Sequence, residues 1–151
     1  MNKRVTVVTG GNRGIGFEIC RQLAKVGGMH VVLAARDGKK GETAAQKLRD
    51  EGLDVEFHPL DVASEPSVKT FAGWLEATCK RCDILVNNAG VMLDPRGSRV
   101  LDSKVKTYRD TLETNLIGPL LLVQALAPIM KRNGYGRIVN IASVAGKEGN
   151  P

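Results

Sequence analysis

Glycines at fixed spacing follow the first apolar segment of this chain, and their arrangement suits the binding of a phosphate group. The octet Thr9-Gly10-Gly11-Asn12-Arg13-Gly14-Ile15-Gly16 comes directly after Val5–Val8. Glycine lets a backbone turn tightly and approach a pyrophosphate without a Cβ in the way. The residues after Gly16 show an apolar stripe with helical spacing, which predicts a helix. The free N–H groups at its N-terminus would be available to the same phosphate. The octet therefore predicts a site for the phosphates of a dinucleotide.

The elements that would position this turn alternate between strands and helices. Short apolar segments predict five strands: Arg4–Val8, Met29–Ala35, Val55–Leu60, Asp83–Val86 and Arg137–Ile141. The segments between them predict helices: Ile15–Val26, Gly41–Glu51, Ser67–Thr78, whose N-cap would be Ser64, and one long helix from about Lys106 to Lys131. Such alternation requires crossover connections and a parallel sheet. The predicted fold class is therefore α/β, with a doubly wound parallel sheet. The expected strand order is 3-2-1-4-5, and residues 1–151 are predicted to form one domain.

Further motifs stand near the ends of the predicted strands. Asp61-Val62 follows the third strand, Asn87-Asn88-Ala89-Gly90 follows the fourth, Asn115 lies in the long helix, and Ser143 ends the segment Ile138–Ser143. In an open α/β sheet, ligands bind at the carboxyl ends of the strands. Together with the glycine octet, these motifs resemble the short-chain dehydrogenase/reductase family over essentially the whole chain. The resemblance implies a Rossmann-like fold and an oxidoreductase.

The end of the second predicted strand bears on the choice of nicotinamide cofactor. An acidic residue about 20 positions after the glycines would hold the ribose 2′-hydroxyl of NAD. Here the strand ends in Ala35-Arg36, and Arg36 together with Arg13 offers two cations suited to a 2′-phosphate. The expected cofactor is therefore NADP(H), although both arginines could be ordinary surface charges and Asp37 adds a carboxylate nearby. This region resembles NADPH-dependent carbonyl reductases, whereas Ser143–Pro151 resembles 3-oxoacyl-carrier-protein reductases.

The resemblance also implies roles for individual residues. The cofactor-binding residues that it implies are Gly10, Asn12, Arg13, Gly14, Ile15, Gly16, Arg36, Asp61, Val62, Asn87, Ala89 and Gly90. Among these, Asp61 would bond the adenine amino group, and Asn87 would support the sheet and the adenosine ribose. The implied catalytic residues are Asn115, whose backbone carbonyl would order a water, and Ser143, which would bond the substrate carbonyl. Each also has an ordinary interpretation, Asn115 as a helix-interior polar residue and Ser143 as a turn serine.

One family motif is absent from these 151 residues. The family's general acid is the tyrosine of a Tyr-x-x-x-Lys motif that follows the serine, and the lysine lowers the pKa of that tyrosine. No tyrosine follows Ser143, and Tyr108 and Tyr135 are followed four residues later by Leu112 and Val139 rather than by lysine. The resemblance therefore implies that the chain is C-terminally truncated relative to the family, without its last strands and helices, and that residues 1–151 alone are inactive.

The cysteines give no clear metal or redox motif. Cys79 and Cys82 form a single C-x-x-C between a predicted helix end and a strand, and His30 and His58 are the only histidines. A zinc site with four ligands is hard to assemble from this set, and three cysteines do not make a disulfide framework. We therefore expect two incidental thiols and no metal site.

Charge and hydropathy favour a globular enzyme domain over other classes of protein. The net charge is +6, but the basic residues are dispersed and aromatic residues make up only 4%, so a nucleic-acid partner is not expected. The longest apolar stretch, Leu116–Met130, contains Gly118, Pro119 and Pro128 and is shorter than the roughly 20 residues that cross a bilayer. Basic Met1–Arg4 precedes only a strand-length apolar run, unlike a signal peptide. We expect a cytoplasmic location and no membrane partner.

Three functions stay open at this point. The leading hypothesis is an NADP(H)-dependent oxidoreductase that interconverts a small-molecule carbonyl and an alcohol by hydride transfer. The second is a non-catalytic NADPH-binding or regulatory module that acts with another chain, and the third is a basic interaction protein. Self-association or a homo-oligomer is also expected, because the apolar strand Arg137–Ile141 would form the edge of the sheet.

Overall fold

The sheet has the order and direction that the sequence predicts. A computed structural model of the protein describes residues 3–94 and 98–143. Its strands are β1 (Arg4–Thr9), β2 (Met29–Ala35), β3 (Val55–Pro59), β4 (Ile84–Asn87) and β5 (Arg137–Asn140). All pair in parallel, in the order β3-β2-β1-β4-β5. The α/β class and the 3-2-1-4-5 order are therefore confirmed.

The helices differ from the prediction mainly at their first turns. They are α1 (Gly14–Lys25), α2 (Gly38–Asp50), α3 (Glu65–Thr78), α4 (Val105–Leu112) and α5 (Gly118–Arg132). Helix α2 begins three residues before the predicted start, because Asp37 accepts a hydrogen bond from the Lys40 N–H at 2.9 Å and caps it. Ser64 is the N-cap of α3, as predicted, and accepts from the Ser67 N–H at 3.4 Å.

The middle of the sheet is covered on both faces, and β1, β2 and β4 each divide their side chains between two cores. One core packs α3 and α5 against one face, with Val5 and Val7 of β1 among its buried residues. The other packs α1 and α2 against the opposite face, with Val8 of β1 and Leu33 of β2 fully buried. Strand side chains alternate between the two faces, so continuous apolar strands are required where both faces are covered.

The prediction of a single long helix from Lys106 to Lys131 was wrong in one respect. A π-helical turn, Glu113–Ile117, separates α4 from α5, and the Gly118 N–H bonds the Glu113 carbonyl across five residues. Pro119 has no N–H, so it cannot donate the usual helical hydrogen bond to the carbonyl of Asn115 four residues earlier. A turn of this kind often marks a functional position within a helix.

The helical segments from Val105 to Arg132 follow one another without a break and together form a candidate membrane span. By length and composition alone, these 28 residues could cross a bilayer, so the expectation that this region is too short was wrong about its length. This is weak evidence, because Leu122, Leu126 and Ile129 are buried in the core beside α3. Both the cytoplasmic location and the absence of a membrane partner stay predictions.

The exposed edge of the sheet leads to a prediction about association. All four residues of β5 are exposed, and the Val139 side chain is apolar and 44% accessible. We expect a polypeptide of residues 1–151 to self-associate through this edge, because an open strand can pair with another chain. Val139→Lys should lower the mass measured by light scattering, whereas Val100→Lys, at an equally apolar but more exposed position outside the sheet, should not. A stable monomer at high concentration before any substitution would contradict the prediction.

Candidate active site

A cleft of about 350 Å³ opens at the carboxyl ends of β1, β2 and β4. Successive strands are added to one side of β1 as far as β3 and to its other side from β4 onward. The cleft lies at this switch point between β1 and β4, which is where open α/β sheets bind ligands. Ten of the twelve cofactor-binding residues implied by the sequence line it: Gly10, Asn12, Arg13, Gly14, Ile15, Gly16, Arg36, Val62, Ala89 and Gly90. The structure therefore brings together, around one cavity, motifs that lie up to 80 residues apart in the sequence.

The glycine turn has the backbone geometry that the octet predicts. Gly10 and Gly14 have φ angles of 65° and 57°, in the left-handed region that favours glycine. At Gly16 the requirement is space: a Cβ there would lie 2.3 Å from Asn88 Nδ2 and 2.4 Å from the Gly10 carbonyl oxygen. The turn therefore packs so closely against β1 and the loop after β4 that only glycine fits at its end.

Helix α1 begins at this turn with its first N–H groups uncapped by side chains. Arg13 is the N-cap residue, has an extended backbone and makes no side-chain capping hydrogen bond, and no acidic residue lies in the first turn. Uncapped N–H groups and the positive end of the helix dipole together attract an anion. The residues present therefore fit a pyrophosphate at the bottom of the cleft.

Two arginines lie at the rim of the cleft with no carboxylate bound to them. Among the described residues, no acidic group lies within ion-pair distance of Arg13 or Arg36, and both are exposed. The carboxylate that complicated the sequence argument, Asp37, is engaged elsewhere, with the Lys40 N–H at 2.9 Å and the Lys40 ammonium at 3.5 Å. The hydrogen bond from the Lys40 backbone is the main reason that the pKa of Asp37 is lowered. The rim is thus positively charged at Arg13 and Arg36, the two residues from which the sequence predicts a 2′-phosphate contact.

Two implied cofactor residues, Asp61 and Asn87, do not line the cleft. The Asp61 carboxylate accepts a hydrogen bond from the Ala63 N–H at 3.1 Å, which closes a local turn after β3. Asn87 is buried and donates to Asn140 Oδ1 at 2.8 Å, which links the ends of β4 and β5. Its own Oδ1 is buried without a hydrogen-bond partner among the described residues. In this arrangement Asn87 supports the sheet, and the adenine and ribose contacts of both residues stay predictions.

The implied catalytic residues lie on two other elements, and neither of them lines the cleft. Asn115 lies in the π-helical turn, and its side-chain amide forms two hydrogen bonds with Val91, accepting from the N–H at 2.8 Å and donating to the carbonyl at 2.7 Å. Because Val91 lines the cleft, Asn115 holds the loop after β4 in place. Ser143 is exposed and lies three residues beyond the carboxyl end of β5.

Comparison with known proteins agrees with this geometry. Residues 4–151 match the family model described as short chain dehydrogenase. The chain belongs to this family. Carbonyl reductase 1 of Mus musculus, whose name specifies NADPH, is 37% identical over 143 residues, which cover 95% of this chain and 50% of that protein. The (+)-neomenthol dehydrogenase of Arabidopsis thaliana is 38% identical and is covered to 55%. The chain thus spans about half the length of the curated relatives it matches.

Solved structures of other short-chain dehydrogenases have the same fold. A metagenomic short-chain oxidoreductase in complex with NADP superposes with a TM-score of 0.87 at 38% identity, with 98% of this chain and 65% of that one covered. An actinorhodin polyketide ketoreductase with NADPH gives a TM-score of 0.89 at 35% identity and is covered to 56%. Both of these structures contain a nicotinamide cofactor that carries the 2′-phosphate.

Sequence reasoning missed the polar network that fixes this short-chain dehydrogenase cleft. The Thr9 hydroxyl accepts hydrogen bonds from the N–H groups of Asn88 and Ala89 at 3.1 and 2.9 Å, and the Asn88 side chain donates to the Thr9 carbonyl at 2.9 Å. The first asparagine of the Asn87-Asn88 pair was chosen as the cofactor residue, but the second lines the cleft. Also missed as lining residues were Ala35, Leu60, Val91 and Thr114. The available signal was Thr9 itself, a polar residue at the end of a buried strand.

Proposed function

We propose that this chain carries the NADP(H)-binding portion of an oxidoreductase that interconverts a carbonyl and an alcohol by hydride transfer. The observation that carries the proposal is the pair of arginines, Arg13 and Arg36, unpaired among the described residues at the rim of a cleft that ends in a glycine turn. The family membership supports the reaction class, and relatives named for NADPH or solved with NADP support the cofactor.

The glycine turn and the start of α1 are proposed to hold the pyrophosphate. The N–H groups after Arg13 face the cleft without competing side-chain caps or acidic neighbours. Bound there, the cofactor supplies the hydride. Every contact proposed for it comes from residues that already line the cleft, with Val62, Ala89 and Gly90 as the apolar and backbone surface below the rings.

Arg13 and Arg36 are proposed to bind the 2′-phosphate from two sides. Ala35, the residue before Arg36, is small and apolar where an NAD-preferring site would place a carboxylate for the ribose hydroxyls. Arginine suits a phosphate because its planar guanidinium donates two parallel hydrogen bonds. Asp37 does not oppose this role, since Lys40 engages its carboxylate.

Asn115 and Ser143 are proposed as the residues nearest the reacting carbonyl. The Asn115 amide side chain is committed to Val91, so the group left for the proposed water-ordering role is the backbone carbonyl. That carbonyl lacks its ordinary helical donor because Pro119 stands four residues later. Ser143 is proposed to donate a hydrogen bond to the oxygen of the substrate, where negative charge develops during hydride transfer.

The test of this proposal is the discrimination between NADPH and NADH. We expect NADPH to bind about 10- to 100-fold more tightly, because a single charge-assisted contact to the extra phosphate contributes about 1.5–3 kcal/mol. Arg36→Ala combined with Ala35→Asp should move the preference toward NADH. Titration of each cofactor, followed by NAD(P)H fluorescence, measures both affinities.

A matched charge control separates a phosphate contact from a general effect of positive charge. Lys69→Ala removes one cation from the exposed face of α3, outside the cleft, and should leave the NADPH:NADH ratio unchanged. Equal affinities for the two cofactors in the unsubstituted chain, or the same loss of preference in Lys69→Ala, would refute the assignment of Arg13 and Arg36.

A further inference from the structure

A second cluster of reactive side chains lies at the amino ends of β2 and β3, whereas the cleft lies at the carboxyl ends of the strands. His30 is the second residue of β2, Glu56 is the second residue of β3, and Cys79 is the C-cap of α3. The nitrogen, oxygen and sulfur atoms that these three residues offer lie within 4.8 Å of one another. They border a recess of about 300 Å³ that is also lined by Asp54 and Arg81. We propose that His30, Glu56 and Cys79 bind one zinc ion.

The distances fit the coordination geometry of zinc. His30 Nε2 and Glu56 Oε2 are 3.3 Å apart. Two nitrogen or oxygen ligands at about 2.0–2.1 Å from a tetrahedral zinc are separated by roughly the same distance, about 3.3 Å. A sulfur ligand would lie about 3.6 Å from each of them. The Cys79 sulfur lies within 4.8 Å of both atoms in the metal-free structure. Imidazole, thiolate and carboxylate are the three ligand types that zinc takes from proteins.

Asp54 provides an independent observation, because it orients the histidine. Its Oδ1 lies 2.8 Å from His30 Nδ1, which leaves Nε2 directed at Glu56. Its Oδ2 accepts a hydrogen bond from the Lys3 ammonium at 2.9 Å. A carboxylate on the second nitrogen of a histidine is the usual outer contact of a histidine zinc ligand. The site therefore has a support that holds its nitrogen ligand in place.

The charges around the recess do not oppose a divalent cation. Arg81 is engaged with Asp83, at 2.7 Å from Nε and 2.6 Å from Nη2, so it does not neutralise Glu56. The His30 ring lies between two carboxylates, with Asp54 Oδ1 at 2.8 Å from Nδ1 and Glu56 Oε2 at 3.3 Å from Nε2. Zinc binds the deprotonated forms of imidazole nitrogen and thiol, so any proton on His30 Nε2 and the Cys79 thiol proton pass to solvent as the Zn–N and Zn–S bonds form.

The C-x-x-C spacing is not what forms this site. Cys82 is fully buried in the core and does not line the recess. Cys79 is instead turned toward β2 and β3 at the end of α3, where Lys80 follows with a left-handed φ of 58°. Three protein ligands leave one position for water, and the bound ion would join two strands and a helix that lie next to one another only in the folded chain.

Zinc retention and cobalt spectroscopy test the proposal on the polypeptide of residues 1–151. After incubation with zinc and extensive dialysis, we expect about one zinc per chain, and with Co²⁺ a thiolate-to-metal charge-transfer band. Cys79→Ala and His30→Gln should abolish the band. Asp54→Asn should weaken metal affinity about 10- to 100-fold while the band keeps its shape.

Two substitutions in the same chain serve as controls. Cys82→Ala, in the same four-residue motif, and His58→Gln, the other histidine, should both retain the zinc and the cobalt band, with circular dichroism showing that each variant is folded. The proposal is overturned if the folded unsubstituted chain retains no zinc, if Cys79→Ala keeps the band, or if His58→Gln loses it as completely as His30→Gln. None of these outcomes depends on binding of NADPH, so they are distinct from the test of the proposed function.

Discussion

A polypeptide of residues 1–151 is expected to bind NADPH and yet to reduce carbonyl substrates at no appreciable rate. Reduction needs a hydride delivered to one face of the carbonyl and a proton for the developing alkoxide. Ser143 can donate a hydrogen bond, but an unperturbed hydroxyl is a poor proton source, and no Tyr-x-x-x-Lys follows it in these residues. Loss of a positioned general acid costs about 10²–10⁴-fold in rate, and loss of substrate positioning costs more.

The measurement follows NADPH absorbance with a panel of ketones and 3-oxoacyl thioesters. A chimera that joins residues 1–151 to the C-terminal half of a family member, including its Tyr-x-x-x-Lys, should show turnover. Ser143→Ala in that chimera should then lower kcat, and replacement of the appended tyrosine by phenylalanine should lower it at least as much, because each removes a group that acts on the same oxygen.

The outcomes of this experiment also separate the two leading hypotheses. Robust turnover by residues 1–151, abolished by Ser143→Ala, would contradict the expectation, because it would show that these residues support proton delivery without a Tyr-x-x-x-Lys motif. NADPH binding with no turnover even in a folded chimera would favour the alternative, a non-catalytic NADPH-binding or regulatory module that acts with another chain.

Gly16→Ala is expected to have the second-largest effect, on cofactor affinity. The added Cβ would lie 2.4 Å from the Gly10 carbonyl oxygen and 2.3 Å from Asn88 Nδ2. Because the first of these is a backbone atom, the turn itself must shift, and the N–H groups proposed to bind the pyrophosphate shift with it. We expect NADPH affinity to fall at least about 100-fold, or about 2.7 kcal/mol, and the free energy of unfolding to fall by about 1–3 kcal/mol.

Gly73→Ala is the matched control for this substitution. Gly73 lies in α3, and a Cβ there would meet nothing within 4 Å. Alanine should therefore raise the free energy of unfolding by about 0.5–1 kcal/mol and leave NADPH affinity unchanged. Isothermal titration and urea unfolding measure the two quantities. Unchanged NADPH affinity in Gly16→Ala would refute the assignment of this turn to the pyrophosphate.

Local sequence patterns predicted most of the fold because they act over short distances. β-Branched runs and amphipathic spacing located five strands and the helices between them, and alternation along the chain then required a parallel sheet. Boundaries were less accurate where a side chain caps a helix. Asp37 was considered as a charge near the ribose, but it caps α2, and no periodicity of apolar residues reports that contact.

The glycines of the candidate cleft could be predicted from the sequence, whereas the polar residues that fix the cleft could not. Gly14 and Gly16 could be identified from sequence because their roles, a left-handed φ and a close approach, exclude other side chains. Thr9 and Asn88 could not, because a hydroxyl and an amide serve many purposes and their function here depends on lying beside each other at the ends of β1 and β4.

Residue types at neighbouring positions were sufficient to predict the alternation of strands and helices, the glycine turn and the arginine after β2. Only the tertiary structure decided that Asn115 holds the loop at Val91 from within a π-helical turn. Tertiary structure also decided that His30, Glu56 and Cys79 meet, although more than 20 residues separate each from the next. The physical reason is that parallel pairing of β2 with β3 and the packing of α3 set distances that no local pattern encodes.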